Sequence, residues 1–155
     1  MRVDRGRVAK VLALAPLPTA WFRVEIASVA IAPDEANDLR ERDVALLDSM
    51  PAPDRGELVL STGARFAVAL SLEADRWIAT VGERVARLQL EDLLAINRVF
   101  RVCDPREFPT PGMTITLLEA NEPLALSWRD EVIAHGALVE IEGKLGVRVS
   151  SLRHV

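Results

Sequence analysis

The sequence predicts a mainly β fold with short helices, built as two tandem modules that pack together or exchange strands as an intertwined pseudo-dimer. Three observations predict it. Apolar and polar residues alternate over short stretches that end in Gly, Asp or Pro turns, the pattern of half-buried strands. The strand grammar of the first half returns in the second half in the same order. Half of the 155 residues are apolar and only 5% are aromatic, enough for a real core. Each repeat, at roughly 60–70 residues, is too small to bury its own faces, so the two repeats are expected to share one core.

Residues 1–15 are read as a short helix or extension ended by Pro16 and Pro18. The first module spans 16–84. Phe22, Val24 and Ile26 alternate as a strand does. The run "APDEANDL" reads as a helical turn, with Asp34 and Glu35 near the N-terminus that the helix dipole favours. Asp43 to Asp48 is a short apolar strand, followed by a loop over 49–56. "ELVLS", "RFAVALSLE" and "WIATV" are three more strands, with turns at 62–64 and 74–76.

The second module spans 85–155. Val29–Leu39 matches Ala86–Ile96, Val44–Asp48 matches Ile115–Glu119, and Leu58–Ser61 matches Leu124–Ser127. Phe66–Val81 then matches Ile133–Val149 as long strand, tight turn, strand. On this alignment residues 97–112 are an insertion with a proline-rich end. In the final hairpin the turn is placed at Gly143-Lys144. Val139, Ile141, Val147 and Val149, with Leu124 and Leu126, are read as the surface through which the modules pack. Gly136, Gly143 and Gly146 are read as structural turns, bends or close approaches.

Little in the chain points to chemistry. The net charge of −4 argues against a nucleic-acid binder, which needs Lys and Arg against phosphates. The single cysteine, Cys103, forms no internal disulfide and fits a reducing cytoplasm. "VLALAPLP" is broken by prolines and too short to span a bilayer, so no direct membrane insertion is expected. His135 and His154 fall short of a metal set. No Gly-x-Ser-x-Gly elbow or phosphate loop occurs. The acid pairs Asp34-Glu35 and Glu91-Asp92 read as helix starts. The chain is therefore expected to be no enzyme and to carry no cofactor or metal. Leu93, Leu94 and Trp128 are a candidate partner groove, although Trp128 shares a face with Leu124 and Leu126 and reads first as core, with the groove anchor as the alternative.

The run "GALVEIEGKLGVRVSSL" resembles the end of the SpoA (surface presentation of antigens) domain. The match rests on Gly136, Leu138, Val139, Ile141, Glu142, Gly143, Leu145, Gly146, Val147, Arg148 and Val149. Pro111 to Gly136 is similar to the family's preceding strands, and Asp38 to Asp48 to the same segment in the first copy. The family's Gly-Asp step is Arg42-Asp43 in one copy and Gly112-Met113 in the other. The family includes the flagellar motor switch proteins FliM and FliN and the type III secretion cytoplasmic ring protein, and a tandem pair is most similar to the latter. The resemblance implies a non-enzymatic, cytoplasmic scaffold of the sorting platform, peripheral to a membrane-embedded machine. It also implies self-association, and docking of other ring subunits and of a stator protein that leads to the export ATPase. Full-length members carry a further N-terminal region, so the chain is read as a truncated form or one half of a split gene. A flagellar switch component is the near alternative. A small β-barrel enzyme or ligand-binding protein, with His135 at its site, is the alternative of another class.

Overall fold

Ten strands and one short helix make up the computed structural model, which describes residues 21–48, 50–60, 63–86, 92–102, 109–119 and 123–153. In chain order they are β1 (Trp21–Ala30), α1 (Pro33–Asn37), β2 (Val44–Leu46), β3 (Arg55–Val59), β4 (Arg65–Glu73) and β5 (Arg76–Arg84). Then follow β6 (Leu93–Val102), β7 (Thr114–Glu119), β8 (Leu124–Trp128), β9 (Glu131–Ile141) and β10 (Lys144–Leu152). The protein is mainly β, with one antiparallel sheet and almost no helix. The helix expected over residues 1–15 lies outside the described residues, as do Cys103 and His154.

The sheet order is β1-β3-β4-β5-β7-β6-β8-β9-β10-β2, and β1 also pairs with β6. Strands β1, β3, β4, β5, β7 and β6 thus close into a ring. Its interior holds one apolar core, with Val24, Leu58, Phe66, Val81, Phe100 and Leu117. The second core, with Leu94, Ile96, Leu126, Ala134, Val147 and Val149, lies under β6, β8, β9 and β10.

Two strands pair with strands distant in sequence. β2, between β1 and β3 in sequence, pairs with β10. β7, between β6 and β8, pairs with β5 as well as with β6. The hydrogen bonds at the two sites correspond one for one. Arg42 N–H donates to Val149 O (2.8 Å) and Val149 N–H to Asp43 O (2.8 Å); Gly112 N–H donates to Val81 O (2.7 Å) and Val81 N–H to Met113 O (2.9 Å). Both turns are left-handed, with φ of 77° at Arg42 and 91° at Gly112. The differing residues of the Gly-Asp step therefore adopt one backbone shape.

Three expectations change. The hairpin turn is Glu142-Gly143, one residue earlier than read, because Lys144 already faces Ile141 in the ladder. Positive φ at both residues (52° and 78°) is the backbone that matches strand twist in a two-residue loop. The 97–112 insertion shortens, because Asn97 to Val102 continue β6. From Leu93 to Arg101, β6 faces β1. Finally, Asp92 does not start a helix; it precedes β6 and takes two hydrogen bonds from Arg129, at 2.9 and 3.2 Å. The helical turn at Asp34-Glu35 does form, and the Glu35 carboxylate accepts from Ala32 N–H at 3.0 Å, a capping contact for otherwise open donors.

A polar knot sits where β1 crosses β6. Buried Glu25 faces Asn97, which is 0% exposed. Arg65, also buried, places Nη1 2.9 Å from Glu25 Oε1 and Nη2 2.8 Å from Asp130 Oδ1. Burial works against the charge on Arg65, but the bonds to Glu25 and Asp130 outweigh it and raise its pKa.

Val147 is 0% exposed in the second core. Val147→Asp is expected to abolish the cooperative circular-dichroism melt, since a buried charge without a partner costs several kcal/mol; an unchanged melt contradicts the core assignment. Arg65→Met, which removes the guanidinium against which Glu25 is buried, is expected to cost about 3–5 kcal/mol in urea denaturation. Glu25→Gln/Arg65→Met is expected to recover most of that loss.

Candidate functional site

Side-chain parity sorts the residues singled out from sequence. Directly opposed residues of an antiparallel ladder share a face, and the face alternates along each strand. Val147 faces Leu138 and Val149 faces Gly136, while Val139 faces Gly146 and Ile141 faces Lys144. Val147 and Val149 therefore point into the second core. Val139 and Ile141 lie on the opposite face of the sheet, away from that core. Leu126 is fully buried and Leu124 half-buried, both in or against the second core.

β2 adds to the outer face. Gly146 faces Leu46 and Arg148 faces Val44, so Val44, Leu46, Val139 and Ile141 surround Gly146 on one side of the sheet. Leu46 is 47% exposed and Ile141 37%. A β carbon on Gly146 would stand 2.8 Å from Val44 Cγ1 and 3.1 Å from Ala45 O, so the missing side chain is what lets β2 lie so close. Lys144 and Arg148, both exposed, share this face. The result is an apolar patch with a cationic rim.

The matching positions of the β4-β5-β7 ladder are different. There Ser71, Glu73, Thr114 and Thr116 surround Ile78. One end of the sheet presents an apolar outer face, and the other a polar one.

On the other face of the β9–β10 hairpin lies a groove of about 390 Å³, with Leu124, Leu138, Leu145 and the loop Met50–Pro53 among its walls. Leu138 is 45% exposed, whereas its counterpart Leu70 is 4% exposed. The physical reason is ring closure. β7 bonds both β5 and β6, whereas β2 bonds β10 and forms no ladder with β1. A wider trough of about 740 Å³ beside β1 and β3–β5 is lined by small residues such as Gly56, Ala67, Ala69 and Gly82 together with Arg55, Glu57 and Thr80.

Leu94 is 1% exposed in the second core, so its side chain belongs to that core. Leu93 and Trp128 are half-buried, and the Arg129 guanidinium lies 4.3 Å over the Trp128 ring. Among the described residues no group of three or more His, Cys, Asp or Glu side chains is arranged to hold a metal ion, and no helix is long and apolar enough to cross a membrane. His135 lies half-buried in β9, its carbonyl accepting from Ser150 Oγ at 3.2 Å. Gly136 is a close approach: a β carbon there would meet the Arg148 carbonyl oxygen. Val44, Leu46 and Met50 were not among the sequence candidates; "DVALLD" reads as a short apolar strand, and which of its residues face outward depends on its partner. No family model and no curated protein matches the chain.

The hydrogen bonds from Arg129 hold the Asp92 carboxyl below its ordinary pKa. A depressed carboxyl contributes stability that is full above its unfolded pKa and is lost as pH falls through the folded one. Asp92→Asn is therefore expected to lower the melting temperature at neutral pH and leave it unchanged in strong acid. An equal loss at both pH values contradicts the pair's role.

Proposed function

We propose that the chain is a non-enzymatic scaffold subunit of a bacterial type III secretion cytoplasmic ring, or sorting platform. In this reading two SpoA-like modules, 16–84 and 85–155, form an intertwined pair on the cytoplasmic side of the secretion machine. The observation that carries the reading is the reciprocal placement of β2 on β10 and β7 on β5. Two small β units that trade one strand each become a single rigid body, which suits a ring subunit better than a flexible tether does. The residues of the SpoA resemblance support it as well. Gly143 makes the hairpin turn, and Gly136 and Gly146 sit where neighbouring backbone approaches.

The apolar patch of Val44, Leu46, Val139 and Ile141 is the docking surface. Apolar area of this kind on a sheet is used to seat the apolar face of a partner helix or strand. The rim of Lys144 and Arg148 favours a segment flanked by acids. The partner is a stator protein leading to the export ATPase, and further ring subunits complete the assembly.

The test is affinity capture of the tagged chain and of Leu46→Asp/Ile141→Asp from a lysate of its source cell, read by mass spectrometry. Both substitutions are at exposed positions, so the melt is expected to be preserved. The wild type is expected to bring down a stator and ATPase, and the variant about tenfold less, the loss of roughly 1.4 kcal/mol of binding. Flagellar basal-body proteins in their place would keep the scaffold and change the machine. Equal capture by the variant contradicts the docking surface. Absence of stator and ring proteins from the wild-type capture, in a lysate that contains them, contradicts the scaffold reading.

A further inference from the structure

We propose that Arg65, Glu25 and Asp130 select which strand set pairs with which, so that the first set (β1, β3, β4, β5) accepts the second set (β6, β8, β9, β10) and refuses a second copy of itself. The inference rests on the strand-exchange reading above. The ladders define matching positions. Val24 faces Leu58, which faces Phe66; Ile96 faces Leu126, which faces Ala134. Glu25 follows Val24 as Asn97 follows Ile96, and Arg65 precedes Phe66 as Ile133 precedes Ala134. The second set thus carries an amide and an alkyl group where the first carries a carboxylate and a guanidinium.

Glu25 and Asn97 face each other in the β1–β6 ladder. In the observed pairing a buried carboxylate meets a neutral amide, whose nitrogen donates to Ala125 O at 3.0 Å and Ser127 Oγ at 3.0 Å. The second set also delivers Asp130, from the β8–β9 turn, to the second nitrogen of Arg65 at 2.8 Å. Pairing two first sets would bring Glu25 of one chain opposite Glu25 of the other. Like charges directly opposed in a ladder repel. It would also remove Asp130 from a guanidinium that water barely reaches. Specificity through a penalty on the wrong partner needs only such a difference.

The test uses disulfides in the full chain with Cys103→Ser. Ala30 faces Leu93, and directly opposed ladder residues are within disulfide reach. Ala30→Cys/Leu93→Cys therefore reports the observed pairing. Trp21 holds in β1 the place that Leu93 holds in β6, so Trp21→Cys/Ala30→Cys reports two first sets joined between chains. Under mild oxidation the first pair is expected to close and the second to stay reduced. Adding Glu25→Asn/Arg65→Ile, the residues of the second set, is expected to raise the covalent dimer of the second reporter about tenfold, a shift of one decade in pairing preference. An unchanged dimer yield, with the 30–93 disulfide still closing, overturns the proposal. If that variant fails to close the 30–93 disulfide, Asp130→Asn decides: a rise in dimer supports selection and no rise overturns it. Failure of the 30–93 disulfide with Glu25 and Arg65 intact contradicts the pairing of the sets themselves.

Discussion

Unpaired strand edges are the constraint on which this structure turns. A β edge presents a row of N–H and C=O groups that must find partners or invite aggregation. β5 ends the run β3-β4-β5, and β10 ends the run β8-β9-β10. Neither finds its next partner among its own neighbours in sequence. β7 serves β5 and β2 serves β10, each a strand from the opposite half of the chain. The left-handed turns at Arg42 and Gly112 aim those strands outward, and paired backbone bonds to Val149 and Val81 fix them. The edges of β5 and β10 are thus covered by strands distant in sequence.

That arrangement is nearly the same at both ends, so the differences between the ends stand out. One end closes into a ring, with Leu70 covered; the other stays open, with Leu138 and Met50 exposed. One outer face is Ser, Glu and Thr around Ile78, and the other is Val44, Leu46, Val139 and Ile141 around Gly146. Two ends with the same backbone pattern and different outer faces suit the division of labour proposed above, one end for packing and the other for a partner. The scaffold reading draws on this asymmetry, and no catalytic constellation enters it.

Much of the strand set was legible because alternation and turn residues are local. β4, β5, β9 and β10 follow from alternating Val, Leu and Ile, with Gly143 marking the turn. β6 was legible only to Ile96. Asn97 reads as a loop residue, yet it is fully buried and bonded to Ala125 and Ser127, so a tertiary contact overrides the local signal. Parity was the other failure. Val139 and Val147 look alike in sequence, yet a two-residue turn at Gly143-Lys144 puts them on opposite faces as surely as the observed one at Glu142-Gly143, where Val147 faces Leu138 and Val139 faces Gly146. The destinations of β2 and β7 are long-range facts that no window of sequence contains. The surface patch depends on β2's destination, which is why the short apolar strand at 43–48 did not mark Leu46 as surface.

The central claim is that the two strand sets unfold together, joined through β2 on β10 and β7 on β5. Differential scanning calorimetry of the full chain tests it most directly, through the ratio of calorimetric to van't Hoff enthalpy. One transition with equal enthalpies is the predicted result. Two transitions, or a calorimetric enthalpy well above the van't Hoff value, would mean that the halves fold as independent units and that the exchange of β2 and β7 does not bind them together.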